Sequence, residues 1–306
     1  MDASGKRYSL HSGSYAAEVV QVGATLRTLS FDDRQLILPF DPDQLRPHMR
    51  GAIMQPWPGR IPDGRYSFAG SEHQLPWNEP ERANALHGLV SWLPFERVSQ
   101  AADRIRLGAL LAPQQGYPFA LRCEVAYRVS ADGLDVEVAA TNVGNRPAPY
   151  GAANHPYLVP GAGSVDDWTL TLAADTVSGA SLPRYQALHP VPVAGSDADF
   201  RTGRRIGDQR LNHTYGGLGR RPDGWAEARV TAADGGGVVL RCDRAADWLQ
   251  VFSYDLPTTE ARSGLAIEPL TCALNAFNTG VGLVSLAPGE RHSYSMTIAA
   301  VAPNHG

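Results

Sequence analysis

The sequence predicts an all-β protein, a large antiparallel β-sandwich, and three observations carry that prediction. Apolar and polar side chains alternate with period two over many short runs. Glycine (31 residues) and proline (23 residues) punctuate those runs at short intervals. No long stretch keeps a 3.6-residue period. In 123–129, Cys123, Val125, Tyr127 and Val129 alternate with Glu124, Ala126 and Arg128. After Ser130-Ala131-Asp132-Gly133 the alternation resumes at Leu134, Val136, Val138 and Ala140, so the segment reads as a hairpin. Trp168, Leu170 and Leu172 form another run, as do Tyr294, Met296 and Ile298. Residues 237–241 and 248–253 read as a further strand pair, with Gly235-Gly236-Gly237 as a hairpin turn. Short helical turns are expected only near Leu45 and Leu182. The segments 41–92 and 180–226 read as long loops rich in proline, glycine and polar residues. Loops of this kind carry sites on a rigid β scaffold.

With no linker or fixed-period repeat, residues 1–306 read as a single domain. Hydrophobic content of 43%, charged content of 19% and a net charge of −4 describe an ordinary globular chain. They argue against nucleic acid or an anionic membrane surface as partners. No apolar run approaches the length of a membrane helix. The N-terminus lacks the apolar stretch of a secretory signal. Cys123, Cys242 and Cys272 form an odd, widely spaced set, neither a disulfide framework nor a CxxC metal pair. A cytoplasmic setting is the simplest expectation, for a monomer or homodimer. Lys6 is the only lysine, which excludes an internal Schiff-base lysine.

Chemistry concentrates in a histidine and a carboxylate. His155 precedes Pro156, which holds it extended. Glu268 ends the apolar run Leu265-Ala266-Ile267 and precedes Pro269. Such a pair suits acid/base work on a neutral substrate, although Glu268 could equally be a strand-end carboxylate paired with an arginine. His87 precedes Gly88, which permits close backbone approach. His87, His155 and His213 are too far apart in sequence for an HxH or HExxH metal site, and no metal is expected. A glycosidase would need a second carboxylate across the sugar. Glu79, Glu81 and Asp63 are available, and no local context favours one. Walker loops, GxGxxG after a strand and GxSxG elbows are all missing. Trp57, Trp77, Trp92, Tyr157, Phe252 and Phe277 lie beside these strings, either as core anchors or as faces for a sugar.

Taken together and in order, the strings resemble the aldose 1-epimerase (galactose mutarotase) family. They are Pro56-Trp57-Pro58-Gly59-Arg60-Ile61 with Asp63-Gly64-Arg65-Tyr66, Asn84-Ala85-Leu86-His87-Gly88, Asn154-His155-Pro156-Tyr157, Leu211-Asn212-His213-Thr214-Tyr215, Ile267-Glu268-Pro269-Leu270-Thr271-Cys272 with Ala276-Phe277-Asn278, and Leu286-Ala287-Pro288-Gly289-Glu290. The resemblance implies the family's large β-sandwich (supersandwich) and the interconversion of α and β anomers of a free aldose, with no cofactor. Carried over by motif, Glu268 is the general base and His155 the general acid. His87 and Arg60 bind and orient the sugar, and Asn212, Asn84, Phe252, Tyr157 and Trp57 are further substrate contacts. His155 is then expected to be an imidazolium with a raised pKa, opposite an ionised Glu268. Three positions depart from the family pattern. Gly59 stands where asparagine is frequent, Asn275 where aspartate is common, and Asn212 where an aspartate usually accepts sugar hydroxyls. Within the same fold, a hexose-phosphate mutarotase would need a basic rim, for which Arg201, Arg204, Arg205, Arg210, Arg220 and Arg221 are candidates. A non-catalytic sugar-binding module is the other alternative.

Overall fold

A computed structural model describes residues 3–179 and 189–303. Two large antiparallel sheets form the body. The first runs, in spatial order, Glu96–Gln100, Arg104–Leu111, Leu121–Ser130, Gly133–Asn142, Arg291–Val301, Gly237–Cys242, Ala226–Thr231, Thr169–Leu172 and Arg204–Arg205. The second runs Val191–Pro192, Ala174–Gly179, Asn212–Leu218, Trp248–Phe252, Leu265–Leu270, Ala153–Asn154 and Ile53–Met54, with Tyr157–Leu158 also paired to Leu265–Leu270. A four-stranded sheet, Arg7–Ser12, Tyr15–Val20, Thr25–Phe31 and Arg34–Gln35, adds to the same core.

Alternation explains where the core lies. In the predicted hairpin, Ser130 pairs with Gly133 across a two-residue turn, and Val125 faces Val138. Cys123, Val125, Tyr127, Val136 and Val138 are fully buried. They share one core with Leu249, Val251, Leu265 and Ile267 of the second sheet. Packing of two such inner faces is what holds a sandwich together.

Three sequence expectations are corrected. Residues 237–242 and 248–252 do not pair with each other. The first lies between Ala226–Thr231 and Arg291–Val301, the second between Asn212–Leu218 and Leu265–Leu270. A turn at Asp243 carries the chain from one sheet to the other. There the Asp243 carboxylate accepts from the backbone N–H of Ser295 at 2.7 Å and of Ala245 at 3.0 Å. The segment 180–226 is not simply a loop, because Asn212–Leu218 is an interior strand of the second sheet. The segment 41–92 is built of short pairings, among them Arg60–Pro62 with Asn84–Leu86 and Arg65–Phe68 with Ser71–Gln74. The turn expected near Leu45 falls at Pro47–Met49 and is 3-10; Leu182 lies outside the described residues. A single α-helical turn, Ala276–Thr279, was not anticipated.

The chain at 87–90 crosses directly over Gln55, whose carbonyl accepts from Leu89 N–H at 2.7 Å. Gly88 makes this possible: its φ is +73°, and a Cβ there would lie 2.1 Å from the Gln55 oxygen. Replacing Gly88 with alanine is expected to cost about 2 kcal/mol or more through strain and collision with backbone. A thermal melt of Gly88→Ala should therefore show a clear fall in midpoint; an unchanged midpoint would contradict the close approach.

Candidate active site

The second sheet turns one face away from the core. On Leu265–Leu270, Leu265 and Ile267 enter the core, while Ala266, Glu268 and Leu270 point the other way. Glu268 therefore sits between two small apolar clusters. One is Met54, Ala153 and Leu270; the other is Tyr157, Tyr254 and Ala266. Its neighbours in register are Gln250 and, one strand further, Thr214. His155 follows the strand Ala153–Asn154 and is pinned by backbone bonds to Ala52 at 3.0 Å and Gly51 at 2.8 Å.

These elements enclose a cavity of about 410 Å³. Its wall includes Arg60, His87, His155, Tyr157, Asn212, Gln250, Phe252 and Glu268. A surface hollow of about 570 Å³ elsewhere, lined by Ser9, Arg97, Gln100, Ala101 and Ala102, contains no acid–base pair. His155 Nε2 lies 3.3 Å from Glu268 Oε1, with side chains only 7% and 5% exposed. The His155 ring stacks on Tyr157 at 5.0 Å and meets His87 edge-on at 5.6 Å.

The two histidines are held differently. His87 Nδ1 accepts from Gly59 N–H at 3.2 Å, so its own proton sits on Nε2 and it acts as a donor. His155 Nδ1 is buried, with no hydrogen-bond partner on another described residue. Burial, then the positive field of neighbouring histidine and arginine, holds His87 well below the usual imidazole range.

The expected imidazolium–carboxylate pair is corrected. Burial lowers His155 to about 3, against a smaller raising by a bond to its own backbone, with Arg46 and Arg60 adding to the lowering. Burial raises Glu268 to about 8, against a smaller lowering by Arg60. Desolvation outweighs mutual attraction here, because both groups lie in a nearly dry, apolar frame. Both shifts favour the neutral arrangement, a carboxylic acid beside a neutral imidazole, with the proton on Glu268. Glu268 Oε1 faces His155 Nε2 at 3.3 Å, a separation across which a proton can pass.

Arg60 reaches the cavity from a buttress. Its Nε and Nη2 donate to Glu79 at 2.7 and 2.8 Å, and Arg82 contacts the same carboxylate at 3.4 Å. Burial alone would raise Glu79, but the bonds from Arg60 and Asn84 hold it below the ordinary value. Glu79 and Glu81 both line the cavity, but the Glu79 carboxylate is taken up by Arg60 and Asn84 and serves to anchor Arg60. Asn84 is fully buried behind this buttress and donates to Glu79 at 2.8 Å. Trp57 is 2% exposed, packs on Phe277 at 5.5 Å and donates to the Ala85 carbonyl at 3.3 Å. Neither Asn84 nor Trp57 lines the cavity; both serve the loop that carries Arg60 and His87.

Asn212 accepts from Gln250 Nε2 at 2.7 Å, and Gln250 Oε1 accepts from Thr214 at 2.5 Å. Gln250 and His48 line the cavity without having been anticipated from the sequence. Period two already places Gln250 on the same face as Phe252, so it was recoverable; His48 carried no such signal. His213 bonds back to the Asn212 N–H and stays off the cavity wall. Among the described residues no His, Cys, Asp and Glu group is arranged for a metal. No helix among them is long and apolar enough to cross a membrane. Arg201, Arg205, Arg220 and Arg221 are paired with Asp199, Asp167, Asp247 and Asp223. Arg204 bonds Gln209, and none of the six arginines from 201 to 221 lines the cavity.

A β-sandwich with this cavity and these ordered motifs defines a class of protein: the chain belongs to the aldose 1-epimerase family, whose model matches residues 6–299. It is 36% identical over 294 residues to a protein of Escherichia coli K12 described as "Uncharacterized protein YihR", covering 95% of this chain and 92% of that one. Its fold matches that of the GalM/aldose epimerase homologue from C. elegans, with a TM-score of 0.84, 20% identity and coverage of 98% and 99%. It likewise matches galactose 1-epimerase from Lactobacillus acidophilus, with a TM-score of 0.77, 19% identity and coverage of 95% and 92%.

The raised Glu268 pKa has a stability consequence. The folded protein binds that proton more tightly than the unfolded chain. The contribution is complete below about pH 4.5 and is lost as pH rises through about 8. Glu268→Gln, which stays neutral, should therefore gain on wild type between pH 5 and pH 9. The gain should reach at least roughly 4 °C in melting midpoint. Parallel melting curves at the two pH values would check it; an advantage that does not grow with pH would contradict the shift.

Proposed function

We propose that the chain is an aldose 1-epimerase that interconverts the α and β anomers of a free aldose by acid/base-catalysed ring opening. The observation that carries the reading is the buried pair, His155 Nε2 to Glu268 Oε1 at 3.3 Å, on the wall of a sugar-sized cavity. A bound sugar offers O1–H to the Glu268 carboxylate, and this hydrogen bond favours the ionised form. The shared proton then moves to His155. Glu268 takes the O1 proton while His155 gives its proton to the ring oxygen. The C1–O5 bond breaks and leaves the open-chain aldehyde. Rotation about C1–C2 presents the other carbonyl face. The hydroxyl on C5 attacks C1, its proton returns to His155, and Glu268 returns a proton to O1.

After ring opening the pair is again a carboxylic acid and a neutral imidazole. This is the state that burial favours, so the intermediate is met without a buried charge pair. His87 Nε2–H and Arg60 are donors for the ring oxygen and hydroxyls, and Asn212 with Gln250 offers both donors and acceptors. Tyr157 and Phe252 supply aromatic faces for C–H edges. The chemistry asks for no cofactor, and a small sugar is the only partner it needs.

Polarimetry on freshly dissolved single anomers of several aldoses tests the reading. Glu268→Gln and His155→Asn should each lower kcat by roughly 10²–10⁴-fold. Wild-type kcat/KM should stay flat from about pH 5 to about 8 and fall above that, where the pair loses its one proton. Wild-type rates in Glu268→Gln would refute the base, and an acid limb near pH 6 would refute the lowered His155.

A further inference from the structure

Beside the candidate active site lies a second hollow of about 200 Å³, on the same face of the same sheet. Thr176, Ser178, Thr214 and Thr279 line it with hydroxyl groups, and Trp248 contributes its indole. No Asp, Glu, Lys, Arg or His among the described residues lines it. Neutral hydroxyls beside an aromatic ring suit an uncharged polyhydroxylated ligand, because they hydrogen-bond its hydroxyls and stack on its C–H faces. An anionic group would find no counter-charge there.

Its position relates it to Glu268. Ser178 pairs with Thr214, Thr214 with Gln250 and Gln250 with Glu268, one row across four adjacent strands. At about 4.8 Å per strand, Thr214 stands about 10 Å from Glu268 and Ser178 about 14 Å. Two pyranose rings joined by one glycosidic bond span such an interval. The row is polar throughout: Thr214 donates to Gln250 at 2.5 Å, and Gln250 donates to Asn212 at 2.7 Å. Gly216, in the wall of the hollow, and Gly282, outside it, leave room for the indole. A Cβ at Gly216 would stand 3.1 Å from Thr176 Oγ1 and 3.3 Å from Trp248 Cδ1. One at Gly282 would collide with Trp248 Cη2 at 2.5 Å.

We infer that this hollow is a subsite for a second, neutral sugar ring, so that the substrate class is a reducing disaccharide whose reducing ring lies at Glu268; the inference rests on the anomer-interconverting reading of the cavity. Polarimetric kcat/KM for maltose, cellobiose and lactose, each against its constituent monosaccharides, tests it with wild type, Trp248→Ala and Thr176→Phe. At least one disaccharide should be used about tenfold more efficiently than its monosaccharides. Both variants should remove that advantage while monosaccharide turnover stays within about twofold. Circular dichroism checks that each variant folds, and Thr176→Phe, which only fills the hollow, stands if Trp248→Ala does not. Equal use of mono- and disaccharides, or an equal loss on both, overturns the subsite. If wild type turns over no sugar, the anomer-interconverting reading fails instead, and calorimetric titration with the same disaccharides decides the hollow. Binding weakened about tenfold by Thr176→Phe supports it, and no binding overturns it.

Discussion

Leu265 and Ile267 enter the core between the two large sheets, while Ala266, Glu268 and Leu270 of the same strand face the cavity. Period two makes one six-residue segment serve stability and chemistry at once. The apolar residues anchor the strand in a close-packed interior, which fixes the Glu268 carboxyl in position. The same rule acts on the neighbours. Leu249 and Val251 fill the core while Trp248, Gln250 and Phe252 face outward, and Tyr215 packs inward while Asn212 and Thr214 do not. The site face is thus the reverse side of the core, and its register is as firm as the core's packing.

What the strands cannot supply comes from the segment 41–92. It contributes His48, Arg60 and His87 from short pairings laid over the sheet. Ile53, Ile61, Tyr66, Leu75 and Val90 anchor this segment in the main core, and polar contacts fix its outer side. Glu79 gathers Arg60, Arg82 and Asn84, and Gln55 accepts from the chain beyond Gly88. Breaking a buried pair of this kind leaves the other charge uncompensated. Arg60 and Glu79 are therefore best regarded as one unit, with the carboxylate setting where the guanidinium stands.

Much of this was legible in the sequence for a physical reason. Alternation reports burial on one face, so the hairpin through Ser130 and Gly133 and the strands around Leu170 and Met296 could be read directly. The motif strings placed His87, His155, Arg60, Asn212, Tyr157 and Glu268, and Phe252 was noted as an aromatic beside them; the fold brings all seven around one cavity. Pairing partners were not legible. Residues 237–242 and 248–252 are neighbours in sequence yet belong to different sheets, because the Asp243 turn depends on a distant strand at Ser295. Trp57 and Asn84 stand in the right strings but point to the supporting layer, since a motif records proximity and not direction. Charge was misjudged for a similar reason. Sequence shows two ionisable partners, and only the structure shows how little solvent they keep.

That dryness shapes the chemistry proposed for the pair. The ion pair and the neutral pair carry the same single proton, so they differ only in where it sits. A low dielectric favours the neutral arrangement, with the proton on Glu268. The reactive arrangement, with His155 charged, must be drawn out by whatever enters the cavity. A hydroxyl donated to the carboxylate does this, because it favours the ionised form of Glu268. A ligand that lacks a hydroxyl at that point leaves the proton where burial put it. Under this reading, recognition and activation are one event. The sugar's own anomeric hydroxyl converts a resting neutral pair into an acid and a base, and ring opening returns the pair to its resting form.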